Sequence, residues 1–348
     1  MERNNIISDS HFESLRHVGD DLADQAFLSL KKNKNIAATF YLLETNSELV
    51  NSSFDDEKFQ EFINFYKSYY ASIDLGVLVN GQSFFQKYTG EILAMLGFYS
   101  LPYCYAGAKG VRVLYLSKKI KEDPERRLLE TGQFVFDVSE TNSFGEQGKA
   151  LVSIARVRLM HAAARHYTQA HITDEIAVNQ EDLLATLMSF SLISIRGLRK
   201  IGISIRKEES LSFIGMWNEI GLLLGIMPEI LPKSINEAAN MERLIRKRQF
   251  KYSMEGAALT KSLLGFLSSQ EISGIRLDTK GYMAMLLGNE VASNVGVKAS
   301  NIEVAIFKNI ARTRSLFTEF SEKNYSAIKK QLNKTVEKKS LKAKFKAI

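Results

Sequence analysis

Cysteine is almost absent from this sequence of 348 residues, and long apolar runs are missing altogether. The single cysteine, Cys104, excludes a disulfide framework and a thiolate zinc cluster, because both need several cysteines. No run reaches 18 apolar residues, and the first residues lack the basic and apolar regions of a secretory signal. We therefore expect a cytoplasmic protein without an integral membrane segment. Because 45% of its residues are hydrophobic, it has enough apolar residues for a large core.

The net charge of +7 is concentrated at one end of the chain. Residues 329–348 contain eight lysines and one acid, Glu337, so this stretch accounts for the whole excess. No basic face that would bind nucleic acid is visible in the rest, so we predict no nucleic-acid partner. The stretch is either a solvated end or makes weak contact with a membrane surface. We predict one helical domain over residues 1–328, or two packed lobes, followed by a lysine-rich tail over residues 329–348.

Only four prolines occur, and apolar residues recur at spacings of three and four, which predicts an all-α fold. Three helix starts are indicated by capping residues. These are Asp123 before Pro124, Asn179 with an acid three residues later, and the capping box that begins at Ser234. The predicted helices cover residues 9–32, 53–72, 80–97, 101–117, 124–139, 146–170, 180–200, 207–225, 235–249, 254–268, 279–294 and 301–333.

One predicted helix carries charged side chains where a core needs leucines. Positions 151, 154, 158, 161, 165 and 168 share one face, and Arg158, His161 and Arg165 are among them. Burying such groups unpaired costs several kcal/mol each. One interpretation is a non-covalently held haem, with imidazole on the iron and guanidinium groups on the propionates. The other is a cluster of ion pairs with acids of neighbouring helices, in which His161 donates a hydrogen bond.

The residues around His161 resemble a known signature. Arg158-Leu159-Met160-His161-Ala162-Ala163-Ala164-Arg165 resembles the Arg-x-x-His-x-x-x-Arg motif of the latex clearing protein family, the rubber oxygenases. The wider group includes the fungal oxygenase of mycophenolic acid biosynthesis. Thirty residues upstream of the histidine, Arg127-Leu128-Leu129-Glu130-Thr131 resembles that family's distal Arg-x-x-x-Thr element. Asn179-Gln180-Glu181-Asp182, and Gly19-Asp20 with Asp24, are similar to further family positions.

The resemblance implies a fold, a cofactor and a reaction. The fold would be a globin-like helical core with additional helices around a haem b pocket. His161 would be the proximal metal ligand, and Arg158 and Arg165 would bind the cofactor. Arg127, Glu130 and Thr131 would be the catalytic residues of the distal side. The activity would be that of a haem-dependent dioxygenase, which uses O2 to attack a hydrophobic, unsaturated, isoprenoid-like small molecule.

Two departures from the family leave other functions open. Residues 101–120 contain no Asp or Glu, although the family carries a catalytic acid there. Glu130 occupies the position just before the threonine, so we predict that it handles protons in place of that acid. Alternatively Glu130 points outward to a surface cation, and Arg127 merely pairs with it. The chain would then be a non-catalytic haem-binding carrier or gas sensor, or a helical structural protein without cofactor.

Overall fold

The structure, a computed structural model, describes residues 8–117, 123–269, 279–300 and 303–305. Within these ranges the regular structure is helical, and an isolated bridge joins Gly107 to Phe250. The predicted all-α fold is therefore confirmed. The predicted tail over residues 329–348 and nearly all of the predicted helix over 301–333 lie outside the described residues. The domain boundary at residue 328 stays a prediction.

In chain order, the helices described before residue 118 are α1 Asp9–Leu15, α2 Asp21–Lys32, α3 Lys34–Leu42, α4 Asn46–Asn51, α5 Glu57–Ser72, α6 Leu75–Lys87, α7 Thr89–Met95, α8 Leu101–Tyr105 and α9 Val111–Leu116. Those after it are α10 Pro124–Ser139, α11 Ala150–Thr168, α12 Gln180–Phe190, α13 Leu192–Lys200, α14 Lys207–Leu223, α15 Ile235–Gln249, α16 Met254–Ser269, α17 Thr279–Leu287 and α18 Asn289–Asn294. A π-helical segment, Leu96–Ser100, joins α7 to α8, and a 3-10 turn, Pro228–Ile230, follows α14. Across the ranges that the structure describes, no helix has both the length and the apolar character needed to cross a bilayer.

The three predicted helix starts are confirmed by capping hydrogen bonds. Asp123, Asn179 and Ser234 each accept a bond from the backbone N–H three residues later, at 2.9, 3.0 and 3.1 Å. These side chains satisfy amide groups that the first turn of a helix leaves without a carbonyl partner. The starts could be predicted because each cap depends on neighbouring residues alone.

Five predicted helices are interrupted, and two of them, over 80–97 and 279–294, divide at Tyr88 and Gly288, the N-caps of α7 and α18. The segment over 9–32 breaks before α2, where Asp20 becomes the N-cap and accepts from Ala23 N at 3.3 Å. The segment over 101–117 breaks between α8 and α9, where Ala108 N donates to Gln249 O at 3.0 Å. The segment over 180–200 divides at Ser191, the N-cap of α13. At the breaks in the segments over 9–32 and 101–117, the hydrogen-bond acceptor is a side chain or the carbonyl oxygen at the end of α15 rather than a carbonyl oxygen of the same helix.

The chain divides into two compact units. Unit 1 comprises Met1–Ser83, Asp137–Met188 and Leu211–Arg248, and unit 2 comprises Phe84–Phe136, Ser189–Ser210 and Gln249–Ile348. In unit 1, α2 packs against α5 and α11, and α4 packs against the same two helices. In unit 2, α16 packs against α8 and α9, while α13 packs against α7 and the π-helical segment. The helix that carries His161 is thus part of the core of unit 1.

Candidate functional site

The polar seam of α11 lies on the buried face of the helix, as its spacing predicts. Arg158 and Arg165 are buried, together with the apolar residues at positions 151 and 154. His161 lies midway between the two arginines and is half-buried. The next residue, Ala162, is buried, and the following two alanines are half-buried. This part of the helix therefore combines an imidazole and two guanidinium groups with three small side chains.

Arg158 is held by a two-pronged ion pair with Asp20. Its Nε donates to Oδ2 at 2.7 Å and its Nη2 donates to Oδ1 at 2.9 Å. The third nitrogen, Nη1, reaches the carbonyl oxygen of Leu223 at 3.4 Å, and the guanidinium carbon lies 4.6 Å from the centre of the Phe65 ring. Both charged side chains are 5% exposed. Every nitrogen of Arg158 thus donates to a protein oxygen.

Arg165 is paired less completely. Its Nε donates to both carboxylate oxygens of Asp24, at 2.7 and 3.1 Å, and its Nη1 donates to the carbonyl oxygen of Val178 at 3.2 Å. Burial raises the pKa of Asp24, and the charge of Arg165 opposes that rise. Nη2 of Arg165 is buried and has no hydrogen-bond acceptor among the residues that the structure describes. One donor of this guanidinium is therefore left for a further acceptor.

Gln180 ties together the backbone segments beside the Arg158–Asp20 pair. Its Nε2 donates to the carbonyl oxygens of Gly19 at 3.0 Å and of Gly225 at 2.9 Å. Its Oε1 accepts from the backbone N–H of Met227 at 3.0 Å. Because Gly19 directly precedes Asp20, these bonds fix the backbone from which the carboxylate reaches Arg158. The resemblance pointed to Gln180 without giving this role.

A second buried network surrounds Arg16, which the sequence analysis did not single out. The Arg16 side chain is fully buried and donates to Glu175 at 2.6 and 2.7 Å, to Glu181 at 3.0 Å and to Asp182 at 3.1 Å. Arg248 donates to the other oxygen of Glu181 at 3.0 Å. Burial raises the pKa of Asp182 to about 6, although Arg16 opposes the rise. The signal in the sequence was the adjacent acid pair at the start of α12, which needs a cation if it is buried.

The candidate residues Arg127, Glu130 and Thr131 lie on α10, in unit 2. Thr131 is buried, and its hydroxyl donates to the carbonyl oxygen of Arg127 at 2.9 Å. Glu130 is 41% exposed and accepts from Nε of Arg126 at 2.8 Å, whereas Nη1 of Arg127 lies 3.9 Å from its Oε2. Glu130 is therefore not enclosed in an apolar pocket in this structure, and its catalytic role stays a prediction. It points outward, because a surface arginine one helical turn earlier offers a solvated ion pair.

Unit 2 contains a buried carboxyl that the sequence analysis missed. Glu91, on α7, is 5% exposed, and its Oε2 has no hydrogen-bond partner within the described part of the chain. Burial raises the pKa of this carboxyl. The available signal was an acid within an otherwise apolar stretch, a few residues before the π-helical segment.

Comparison with known proteins places the chain in a family. A family model described as "ER-bound oxygenase mpaB/B'/Rubber oxygenase, catalytic domain" matches residues 94–299, which is more than half of the chain. The chain belongs to this family. The matched range of this chain includes five of the predicted site residues: Arg127, Thr131, Arg158, His161 and Arg165. Asp20 and Asp24, the partners of Arg158 and Arg165, precede it.

Two individual relatives agree with this membership. The rubber oxygenase of Streptomyces sp. (strain K30) is 23% identical over 193 residues, which cover 53% of this chain and 47% of that protein. The chain thus matches about half the length of this curated relative. The solved structure of a latex clearing protein in the closed state aligns with a TM-score of 0.73 at 19% identity and covers 86% of this chain and 84% of that one. At this identity the structural match supports the fold alone.

Proposed function

We propose that this member of the MpaB/rubber oxygenase family is a haem b-dependent oxygenase of the dioxygenase type. It would act with O2 on a hydrophobic, unsaturated, isoprenoid-like small molecule. The observation that carries the proposal is His161 itself, held half-buried on the polar face of α11 between two arginine–aspartate pairs. Family membership supports the reaction class, and the name of the Streptomyces relative suggests an apolar polymer or its fragments as the model for the substrate.

The donor set of unit 1 fits a haem. An imidazole on a rigid helix is a usual axial ligand, and the neighbouring alanines leave space for a flat ring. The buried Nη2 of Arg165, which lacks an acceptor among the described residues, suits a propionate carboxylate. Because all three nitrogens of Arg158 already donate to protein oxygens, we assign the cofactor carboxylate to Arg165 alone. Arg158 instead receives a positioning role.

When bound, haem would supply redox chemistry with dioxygen, which no side chain of the protein provides. The residues of the chain would do the rest. His161 would bind the iron, and the Arg158–Asp20 pair would fix the rotation of α11 and so the direction of the imidazole. On α10, Arg127 and Thr131 are the residues that the resemblance assigns to the distal, oxygen-binding side.

The test is the absorption spectrum of the purified protein and of two matched histidine variants. His161→Ala should lose the Soret band, whereas His166→Ala should keep it. His166 is on the same helix, but it contacts Lys31 and Phe27 rather than the polar seam. Full haem content in His161→Ala would refute the ligand assignment. Turnover then needs oxygen consumption with a reductant and unsaturated isoprenoids.

A haem-binding carrier or gas sensor without turnover is the second candidate function. The outward position of Glu130 favours it, as does the lack of an acid over residues 101–120, because neither of the two positions considered for a proton-handling acid then provides one beside the reacting groups. Haem content with no oxygen consumption above that of free haem, for any isoprenoid offered, would select this candidate.

A further inference from the structure

The loop between α15 and α16, together with the first residue of α16, exposes two large apolar side chains in unit 2. Tyr252 is 63% exposed and Met254 is 77% exposed. Lys251, which precedes them, is also exposed. Single exposed apolar residues are ordinary on a protein surface, but an aromatic and a thioether beside a lysine form a small amphipathic surface.

Backbone hydrogen bonds hold this loop in place. Lys251 N donates to Ala106 O at 3.2 Å, and Ala108 N donates to Gln249 O at 3.0 Å. Ser253 Oγ, between the two apolar residues, accepts from Gly256 N at 3.1 Å and so caps α16. The exposed side chains therefore project from a backbone that is bonded on both sides of them.

The surroundings of the loop are basic. Residues 101–117 and 251–269 form α8, α9, the loop and α16, which pack together. They contain four cations and one acid, Glu255. Two of the cations, Lys251 and Lys261, are exposed, and Leu116 at the end of α9 adds a third exposed apolar residue. The acid is half-buried, so the accessible charge of this region is positive.

We propose that the loop surface, defined as Lys251, Tyr252, Met254 and Lys261, docks the protein onto an anionic lipid membrane. A tyrosine ring and a methionine insert at the level of the headgroups, where one end of the ring stays wet. Each lysine near the surface gains attraction to anionic lipid. The contact is peripheral, and it does not depend on haem or on the proposed oxygenase activity.

Co-sedimentation with vesicles tests the proposal on the full-length chain. Phosphatidylcholine vesicles with phosphatidylglycerol should bind the wild type, and vesicles of phosphatidylcholine alone should bind it more weakly. Tyr252→Ser with Met254→Ser should reduce the affinity about tenfold, as expected for losing one well-buried apolar side chain. Lys251→Gln with Lys261→Gln should reduce it by about fivefold per lysine, and only on anionic vesicles.

Two controls make the result specific. Tyr41→Ser with Leu42→Ser removes a comparably exposed pair that lies beside Glu44, and this variant should bind like the wild type. A second full-length variant has the eight lysines of residues 329–348 replaced by glutamine. If binding disappears in that variant and the Tyr252/Met254 variant binds normally, the tail alone is responsible and the proposal is overturned. Absence of wild-type binding to anionic vesicles also overturns it.

Discussion

Arg158 in unit 1 and Glu91 in unit 2 are both deeply buried, but they differ in their partners. In unit 1, Arg158 meets Asp20 in a dry, two-pronged ion pair. In unit 2, Glu91 is as deeply buried, yet its Oε2 has no partner among the described residues. A paired charge fixes geometry, because separating the partners leaves an uncompensated ion. An unpaired carboxyl instead takes up a proton, which makes its surroundings sensitive to pH.

The largest effect is expected at Asp20. Asp20→Asn removes the charge that faces Arg158 and should lower the free energy of unfolding by about 3–5 kcal/mol, the usual range for breaking a buried pair. Urea unfolding at neutral pH measures it. Asp24→Asn is the matched comparison, because the Asp24 side chain is 33% exposed, so water reaches its end of the pair and weakens the attraction that is lost. Equal losses in the two variants would show that burial does not set the strength of these pairs.

The second-largest loss of stability is expected at Gly225, which lies against the Arg158–Asp20 pair. Gly225 has φ +85°, and an added Cβ would lie 2.3 Å from Asp20 Oδ2 and 2.8 Å from Arg158 Nε. Gly225→Ala should therefore displace the carboxylate as well as strain the backbone. We expect a loss of roughly 2–3 kcal/mol, of which about 1–2 kcal/mol is the left-handed conformation.

Gly288→Ala separates the two contributions to that loss. Gly288 has φ +77°, but no atom of the described residues lies within 4 Å of its added Cβ. It should show the backbone strain alone, so the difference between the two alanine variants measures the displacement of the ion pair. If Gly225→Ala is no worse than Gly288→Ala, the carboxylate moves at no cost and the pair is not rigid.

The structural features that could be predicted from the sequence depend on residues that are close together along the chain. The caps at Asp123, Asn179 and Ser234 act over three residues, and the seam of α11 follows from helical periodicity. Helix α4 was missed, although Thr45 and Glu48 form a capping box there. That signal was present but was not followed by a long apolar pattern.

The partners of the charged residues could not be predicted in the same way. Arg16 and Glu175 are 159 positions apart, and Arg158 and Asp20 are 138 positions apart. Periodicity indicates that a charge is buried but does not say which acid meets it. The resemblance named Asp20, Asp24 and Gln180 as family positions, and the structure shows the contacts that they make. Glu91 and Arg16 had neither a motif nor a resemblance to mark them.

A smaller, pH-dependent effect is expected at Glu91. Burial raises the pKa of Glu91 in the folded state, so the folded protein binds more protons than the unfolded chain above a pH of about 4.3. This carboxyl therefore lowers stability as pH rises toward its folded-state pKa. As pH rises above about 4.3, Glu91→Gln should become more stable than the wild type by up to about 1–2 kcal/mol, within the usual cost of a buried group left without a partner. Urea midpoints of both proteins across this pH range measure the gain, and a constant difference between them would show that Glu91 does not titrate.

The smallest effect is expected at Glu130, whose ion pair with Arg126 is on the surface of α10. Solvent screens both charges, and the side-chain order that the pair requires offsets much of the attraction. Glu130→Gln should change the free energy of unfolding by less than about 0.5 kcal/mol.

Under the proposed function, the haem spectrum of Glu130→Gln and the pH profile of its oxygen consumption should match those of the wild type, because the carboxyl faces away from the buried side of α10, where Thr131 lies. Arg126→Gln is the matched control, because it removes the other partner of the same ion pair. It should have an equally small effect on stability, spectrum and pH profile. A shifted pH profile in Glu130→Gln but not in Arg126→Gln would mean that the carboxyl leaves Arg126 during the reaction, and it would make Glu130 a proton-handling residue after all.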